Sequence, residues 1–153
     1  MELHPDLVAV AWLLGSWEGE GEGRYPTITA FSYREQVTWA HVGKPFLAYA
    51  QSTWSSDDGR PLHGERGYLR VADGRAELII AHSSGFTEIA TGDPGDPLLL
   101  WCPAVAGTPS AKDVQTIDRR FWLEAGELRY ELGMAAVGQG HQLHLRGSLR
   151  RTS

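Results

Sequence analysis

Cysteine is nearly missing from this chain. Cys102 stands alone, which excludes an internal disulfide and any zinc site built on cysteine pairs. Long apolar runs are also missing, since the best candidate, LVAVAWLL at 7–14, is too short to cross a bilayer. No lysine or arginine precedes Arg24, so the basic start of a secretory signal is absent and a cytoplasmic protein is expected, with no membrane partner. Positive charge is in deficit too. The net charge is −5, and the one basic cluster, Arg146, Arg150 and Arg151, reads as the wet face of a last strand. A nucleic-acid partner is therefore not expected, because neutralising phosphates takes clustered cations. Familiar catalytic spacings are lacking as well: no HExxH, no paired zinc ligands and no serine nucleophile elbow. The acidic residues fall mainly in turns or on polar faces, which gives no support to a carboxylate pair for glycoside chemistry.

Within these exclusions the chain is well furnished for a single core. With 42% hydrophobic and 22% charged residues it has an ordinary soluble composition, and 153 residues suffice for one domain spanning 1–153. HPDLVAVAWLLG places Pro5 and Asp6 at a start signal and Gly15 at a stop, which predicts a short N-terminal helix. After Gly15 no helical period is sustained. Instead, alternating runs at roughly 15–24, 29–42, 46–55, 62–72, 75–83, 86–91, 97–105, 112–123, 127–137 and 141–152 are separated by turn chemistry such as HVGKP, VADGR and VGQG. About ten consecutive strands are best satisfied by an all-β, antiparallel, up-and-down β-barrel, which leaves no exposed edge. A barrel of that size tends to enclose a ligand.

The first of these runs, GSWEGEGEG, alternates in a particular way. Gly15, Trp17, Gly19, Gly21 and Gly23 share one face, and Ser16, Glu18, Glu20 and Glu22 the other. The glutamate face belongs to water. The bare face leaves room for something flat or bulky to approach the backbone, or else for bending and tight packing.

Six histidines are the remaining chemistry: His4, His41, His63, His82, His141 and His144. One imidazole is enough to anchor a large cofactor that brings its own reactivity. His144, in HQLHLRGSLRR, is ambiguous by parity, since Leu143, Leu145 and Leu149 take one strand face and His144 the other. If opposed residues in the last hairpin sum to 277, Leu132 meets Leu145 and His144 points out. If they sum to 278, Met134 meets His144 and both point in. A bulge near the GQG turn would reconcile the two patterns. Sequence alone slightly favours the first register.

GSWEGEG fits a G-x-W-x-G-x-G signature. Together with YPTI, HVGKP, GYLR, MAAVGQ and the terminal HLRGSLRR, it makes the chain from Leu13 to Arg151 resemble the nitrobindin family. The resemblance implies a ten-stranded barrel similar to fatty-acid-binding proteins and lipocalins, with one b-type haem per chain near its mouth. It implies that His144, ten residues after the pocket methionine Met134, is the axial iron ligand and the catalytic residue. It also implies that His63, beside Leu62, and His82 face the haem cavity, and that Lys44 in HVGKP contacts haem through a propionate. Gly15, Trp17, Gly19 and Gly21 are the family motif. His141 departs from the pattern and offers a second imidazole near the ligand strand. Trp17, Trp39, Tyr33 and Tyr130 are expected as wall residues. Family members isomerise peroxynitrite to nitrate and bind nitric oxide reversibly, so peroxynitrite and nitric oxide are the implied partners of a monomer or homodimer. A nitric oxide carrier or sensor without turnover, or a haem-free lipid carrier on the same barrel, are the alternatives.

Overall fold

The computed structural model describes all 153 residues. Pro5 opens a nine-residue 3₁₀ helix, Pro5–Leu13, with the His4 Nδ1 accepting a hydrogen bond from the Asp6 N–H at 3.2 Å. A helix with three residues per turn puts every third side chain on one face. Leu7, Val10 and Leu13 follow that spacing, and all three are fully buried. The expected short helix is thus present in its tighter form.

The strands are β1 (Gly15–Tyr25), β2 (Ile28–His41), β3 (Phe46–Ser55), β4 (Pro61–Ala72), β5 (Arg75–His82), β6 (Phe86–Gly92), β7 (Leu98–Cys102), β8 (Ala106–Gly107), β9 (Val114–Glu124), β10 (Glu127–Ala136) and β11 (Gln142–Arg151). Ten of them form a closed antiparallel barrel in the order β1 to β7, then β9, β10 and β11, with β11 pairing back onto β1. The seam between β6 and β7 is thin, a single pair at Thr91 and Trp101. The strand expected over 97–105 ends at Cys102, where Pro103 has no N–H to continue the ladder, and the chain then adds the two-residue β8 beside β6. No helix is long and apolar enough to cross a membrane.

Alternation decides what lies inside. Successive turns fall at opposite ends of the barrel. The 3₁₀ helix plugs one end, where Trp17 donates through Nε1 to the Leu13 carbonyl at 2.8 Å and the Arg151 guanidinium lies 4.2 Å from the Trp17 ring centre. Trp39, Leu47, Leu69 and Leu149 fill the interior next to this plug. The other end is open.

The glycine face of β1 does point inward, and Glu18, Glu20 and Glu22 point out. Its space is taken by the chain's own rings, which replaces the expectation of room for a ligand. A side chain at Gly21 would strike the Tyr33 ring, one at Gly23 the Phe31 ring, and one at Gly147, which pairs with Gly21, the Tyr130 ring. Gly19 is excluded from carrying a side chain by the Ser148 carbonyl of β11, and Gly15 adopts φ +125° where the C-terminus passes over it. The motif therefore knits the helix, β1 and β11 together, away from the open end.

Candidate functional site

At the open end lies a cavity of about 560 Å³, rimmed by the turns at 56–60 and 83–85 and by the segment before β9 that carries Lys112. Its walls are apolar at Phe31, Leu62, Phe86, Ile117, Leu132 and Met134, and three imidazoles reach it, those of His63, His82 and His144. A wider depression of about 800 Å³ lies on the outer surface, but Trp54 is the only hydrophobic residue among Glu18, Arg34, Gln36, Arg150 and its other neighbours, so it is a solvated charged face.

His144 owes its position to a bulge. From Leu128↔Leu149 to Leu132↔Leu145 the β10–β11 pairs sum to 277, and beyond that point Gly133 faces Leu143 and Met134 faces Gln142. His144 is the extra residue. A bulge bends the strand and re-aims one side chain, so His144 and Leu145, adjacent in sequence, both line the cavity. The 278 register does not form. The Nδ1 of His144 lies 2.9 Å from the Arg24 carbonyl, to which it must donate, and the ring meets Tyr25 edge-on at 5.4 Å. Tyr25 is itself fixed, its hydroxyl accepting from the Ala136 N–H at 2.9 Å and donating to the Met134 carbonyl at 3.1 Å. Burial lowers the His144 pKa below the ordinary imidazole value. The charges of Lys112 and His63 act in the same direction, against the Arg24 hydrogen bond. The result is a neutral ring with its tautomer set and Nε2 carrying a free lone pair, the state in which imidazole binds a metal.

Across the barrel stand His63 on β4 and His82 on β5. His63 Nε2 is 3.2 Å from both Glu65 Oε1 and His82 Nδ1, and His82 donates through Nε2 to Glu88 Oε1 at 2.9 Å while stacking on Phe86. Beneath them Arg119 joins Glu88 through two hydrogen bonds of 2.9 and 2.7 Å and reaches Glu65 Oε2 at 2.8 Å. Burial alone would raise the Glu65 and Glu88 carboxyls. The Arg119 charge outweighs it, aided by the hydrogen bonds from His63 to Glu65 and from His82 to Glu88, and holds both below the usual carboxylate range. Glu35 is the opposite case. It has no cation in contact, and burial raises it from 4.5 to about 7 although Tyr130 and Gln51 donate to it at 2.6 and 2.8 Å. The Tyr33 hydroxyl contacts that of Tyr130, extending this chain of groups toward the cavity.

Three of these carboxylates contradict the expectation that the acids lie in turns or on polar faces: Glu88 is 0%, Glu35 3% and Glu65 4% exposed. The signal was parity. Glu35 falls between Tyr33 and Val37 on an apolar face, Glu88 between Phe86 and Ala90, and Arg119 between Ile117 and Phe121.

Leu62, His63, His82, Met134 and His144 are brought together at one cavity. Lys44 is not, which corrects its expected contact with haem. It sits in the β2–β3 turn at the plugged end, beside Gly43, whose neighbours are Met1 and Glu2. The cations at the mouth are Lys112 and Arg60. His141 is engaged elsewhere, its Nδ1 2.8 Å from Thr116 Oγ1 and its Nε2 2.5 Å from Asp118 Oδ1, and it does not line the cavity. His4 and His41 accept from backbone N–H groups in their own turns.

A single free imidazole in an apolar slot with two cations at its rim fits a haem, held by one axial nitrogen and two propionates. Residues 6–151 match the family described as the THAP4-like, heme-binding beta-barrel domain. The chain is 51% identical over 156 residues to peroxynitrite isomerase 1 of Mycolicibacterium paratuberculosis, covering 98% of this chain and 97% of that one. Peroxynitrite isomerase 1 of Mycobacterium tuberculosis is 48% identical over 159 residues, with the same coverage. The crystal structure of Rv2717c from M. tuberculosis superposes with a TM-score of 0.91 at 47% identity, over 99% of this chain and all of that one. A match across nearly the full length, in sequence and in fold, places the chain in the THAP4-like heme-binding β-barrel family, the nitrobindins.

Proposed function

We propose that the protein binds one haem b per chain through His144 Nε2 and, in that form, isomerises peroxynitrite to nitrate and binds nitric oxide reversibly. The observation that carries the reading is the bulged His144, neutral and oriented by the Arg24 carbonyl, in a chain about half identical to proteins named peroxynitrite isomerases. Haem held by one imidazole supplies an iron with a coordination position open to a small nitrogen oxide.

The chain's own part is holding and confining. Peroxynitrite and nitrate contain the same atoms and carry the same charge, so the conversion needs no external oxidant, reductant or net proton. The Arg24 carbonyl keeps the proton on Nδ1 and the lone pair on Nε2. Phe31, Leu62, Leu132 and Met134 give the slot the apolar surface against which a flat apolar group packs. Lys112 and Arg60 stand where they can meet the carboxylates of the bound group.

Reconstitution with hemin tests this. The wild-type chain is expected to take up one equivalent with a stable Soret band and to accelerate peroxynitrite decay in stopped flow, with nitrate as the product. His144→Ala is expected to stay soluble and β-rich while losing both. An unchanged Soret band in His144→Ala overturns the axial assignment, and haem binding without accelerated decay leaves a nitric oxide carrier instead of an enzyme.

A further inference from the structure

We propose that His63, Glu65 and His82 form a second metal site, for a divalent first-row cation of the zinc type, on the cavity wall facing His144. Its three ligands do not include His144, so the site can be tested in the haem-free chain whether or not His144 takes haem.

The donor atoms are already gathered. His63 Nε2 lies 3.2 Å from Glu65 Oε1 and 3.2 Å from His82 Nδ1, and the last two are 3.7 Å apart. Three ligands around a tetrahedral zinc, each about 2.0–2.1 Å from the metal, sit about 3.3 Å from one another. Two imidazoles and one carboxylate with a position left open suit zinc, iron(II) or cobalt(II).

Hydrogen bonding alone serves this cluster poorly. The tautomer of His82 that donates through Nε2 to Glu88 at 2.9 Å carries a bare lone pair on Nδ1. Glu65 Oε1 is a second acceptor, while its Oε2 is already taken by Arg119 at 2.8 Å and the Tyr49 hydroxyl at 3.0 Å. One proton on His63 Nε2 must be shared between two acceptors, whereas a cation engages all three atoms. The partners behind the ligands are those a metal site requires. Glu88 orients His82, as a carboxylate behind a metal-binding histidine does. Arg119 and Tyr49 orient Glu65. Two buried carboxylates, Glu65 and Glu88, share the single guanidinium of Arg119, and a divalent cation adds positive charge beside them. Glu65 and His82 are buried, and His63, with 30% of its side chain exposed, stands on the entry side. All three line the cavity, so the open position faces the space a ligand enters.

The test is titration of the chelator-treated, haem-free full chain with Co²⁺, followed by displacement with Zn²⁺. The expected result is one saturating equivalent with the visible d–d bands of a low-coordinate nitrogen and oxygen site, abolished by Zn²⁺. His63→Ala removes the partly exposed ligand without stranding a buried charge and is expected to lose the bands. Glu88→Gln, which weakens the support behind His82, is expected to weaken Co²⁺ binding roughly 10–100-fold. His144→Ala is expected to bind Co²⁺ as the wild type does. Absence of saturable binding overturns the proposal. So do bands that persist in His63→Ala, which would be adventitious, and bands lost in His144→Ala, which would put the ion on the proposed haem ligand.

Discussion

Single residues here act through what their neighbours refuse them. Gly21 and Gly147 face each other across β1 and β11, and their lack of side chains lets Tyr33 and Tyr130 lie against the backbone. Those rings bring their two hydroxyls into contact, and that of Tyr130 donates to the buried Glu35. Gly21→Ala must displace the Tyr33 ring, and overpacking of this kind costs about 1–3 kcal/mol. Gly140→Ala is the control, because a methyl group there meets nothing within 4 Å and the backbone is not in the left-handed region. Denaturant unfolding at neutral pH is expected to show a lower midpoint for Gly21→Ala and a change within about 0.5 kcal/mol for Gly140→Ala. Equal midpoints for the two variants would mean that the ring moves without cost.

At the scale of elements, the bulge in β11 matters most, because it converts an outward parity into an inward imidazole. His144→Gly keeps the extra residue and leaves an imidazole-sized gap, so added imidazole is expected to restore the Soret band of the reconstituted protein. Deleting residue 144 removes the bulge itself, and no rescue is expected. Rescue of both variants to the same extent would show that the bulge does not create the ligand position. The strand pattern was legible throughout, since the alternating runs and their turns predict the ten long strands to within a few residues, save where Pro103 shortens β7. The bulge was legible only as one of three alternatives, because no residue type at 142–145 selects it over a regular ladder. Other features were within reach of the sequence. Parity alone sets Glu35 inward, among Phe31, Tyr33, Val37 and Trp39. Counting hairpins sends alternate turns to opposite ends, so the second turn, carrying Lys44, and the ninth, beside His144, cannot share a mouth. What lay beyond reach was the joining of β4, β5, β6 and β9 through Glu65, His82, Glu88 and Arg119, which depends on register between strands far apart in sequence.

Across the whole molecule, a plugged apolar half and an open ligand-sized half meet at a belt of buried polar groups. Arg119 is the only cation of the belt in contact with its carboxylates, bridging Glu65 and Glu88. Arg119→Met, which strands those two charges, is expected to lose about 3–5 kcal/mol of stability, measured by chemical denaturation. Glu35 lies outside that bridge, and burial leaves its carboxyl at about 7 instead of 4.5. A carboxyl raised in the folded state binds its proton more tightly there than in the unfolded chain. Its contribution to stability is therefore complete below about pH 4.5 and fades as the pH climbs through 7. The interval between the two values corresponds to about 3 kcal/mol as an upper figure. Glu65, Glu88 and His144, all lowered, contribute in the opposite sense: the two carboxylates lose their stabilisation as pH falls below the ordinary carboxylate range, and His144 as it falls below the ordinary imidazole range. These groups are common to the wild type and a Glu35→Gln variant, so their effect cancels in the difference between the two. The new amide stays neutral at every pH and keeps an oxygen to accept from the Tyr130 hydroxyl. Gln51, whose Oε1 has no hydrogen-bond partner, can turn to accept from its nitrogen. Thermal melts of both proteins between pH 4.5 and 8.5 are expected to start together, or with the variant slightly lower. The variant is then expected to gain steadily on the wild type until the gap levels off above pH 7. Melting curves that stay parallel across that range would place the charge of Glu35 in a solvated setting and remove it from the belt.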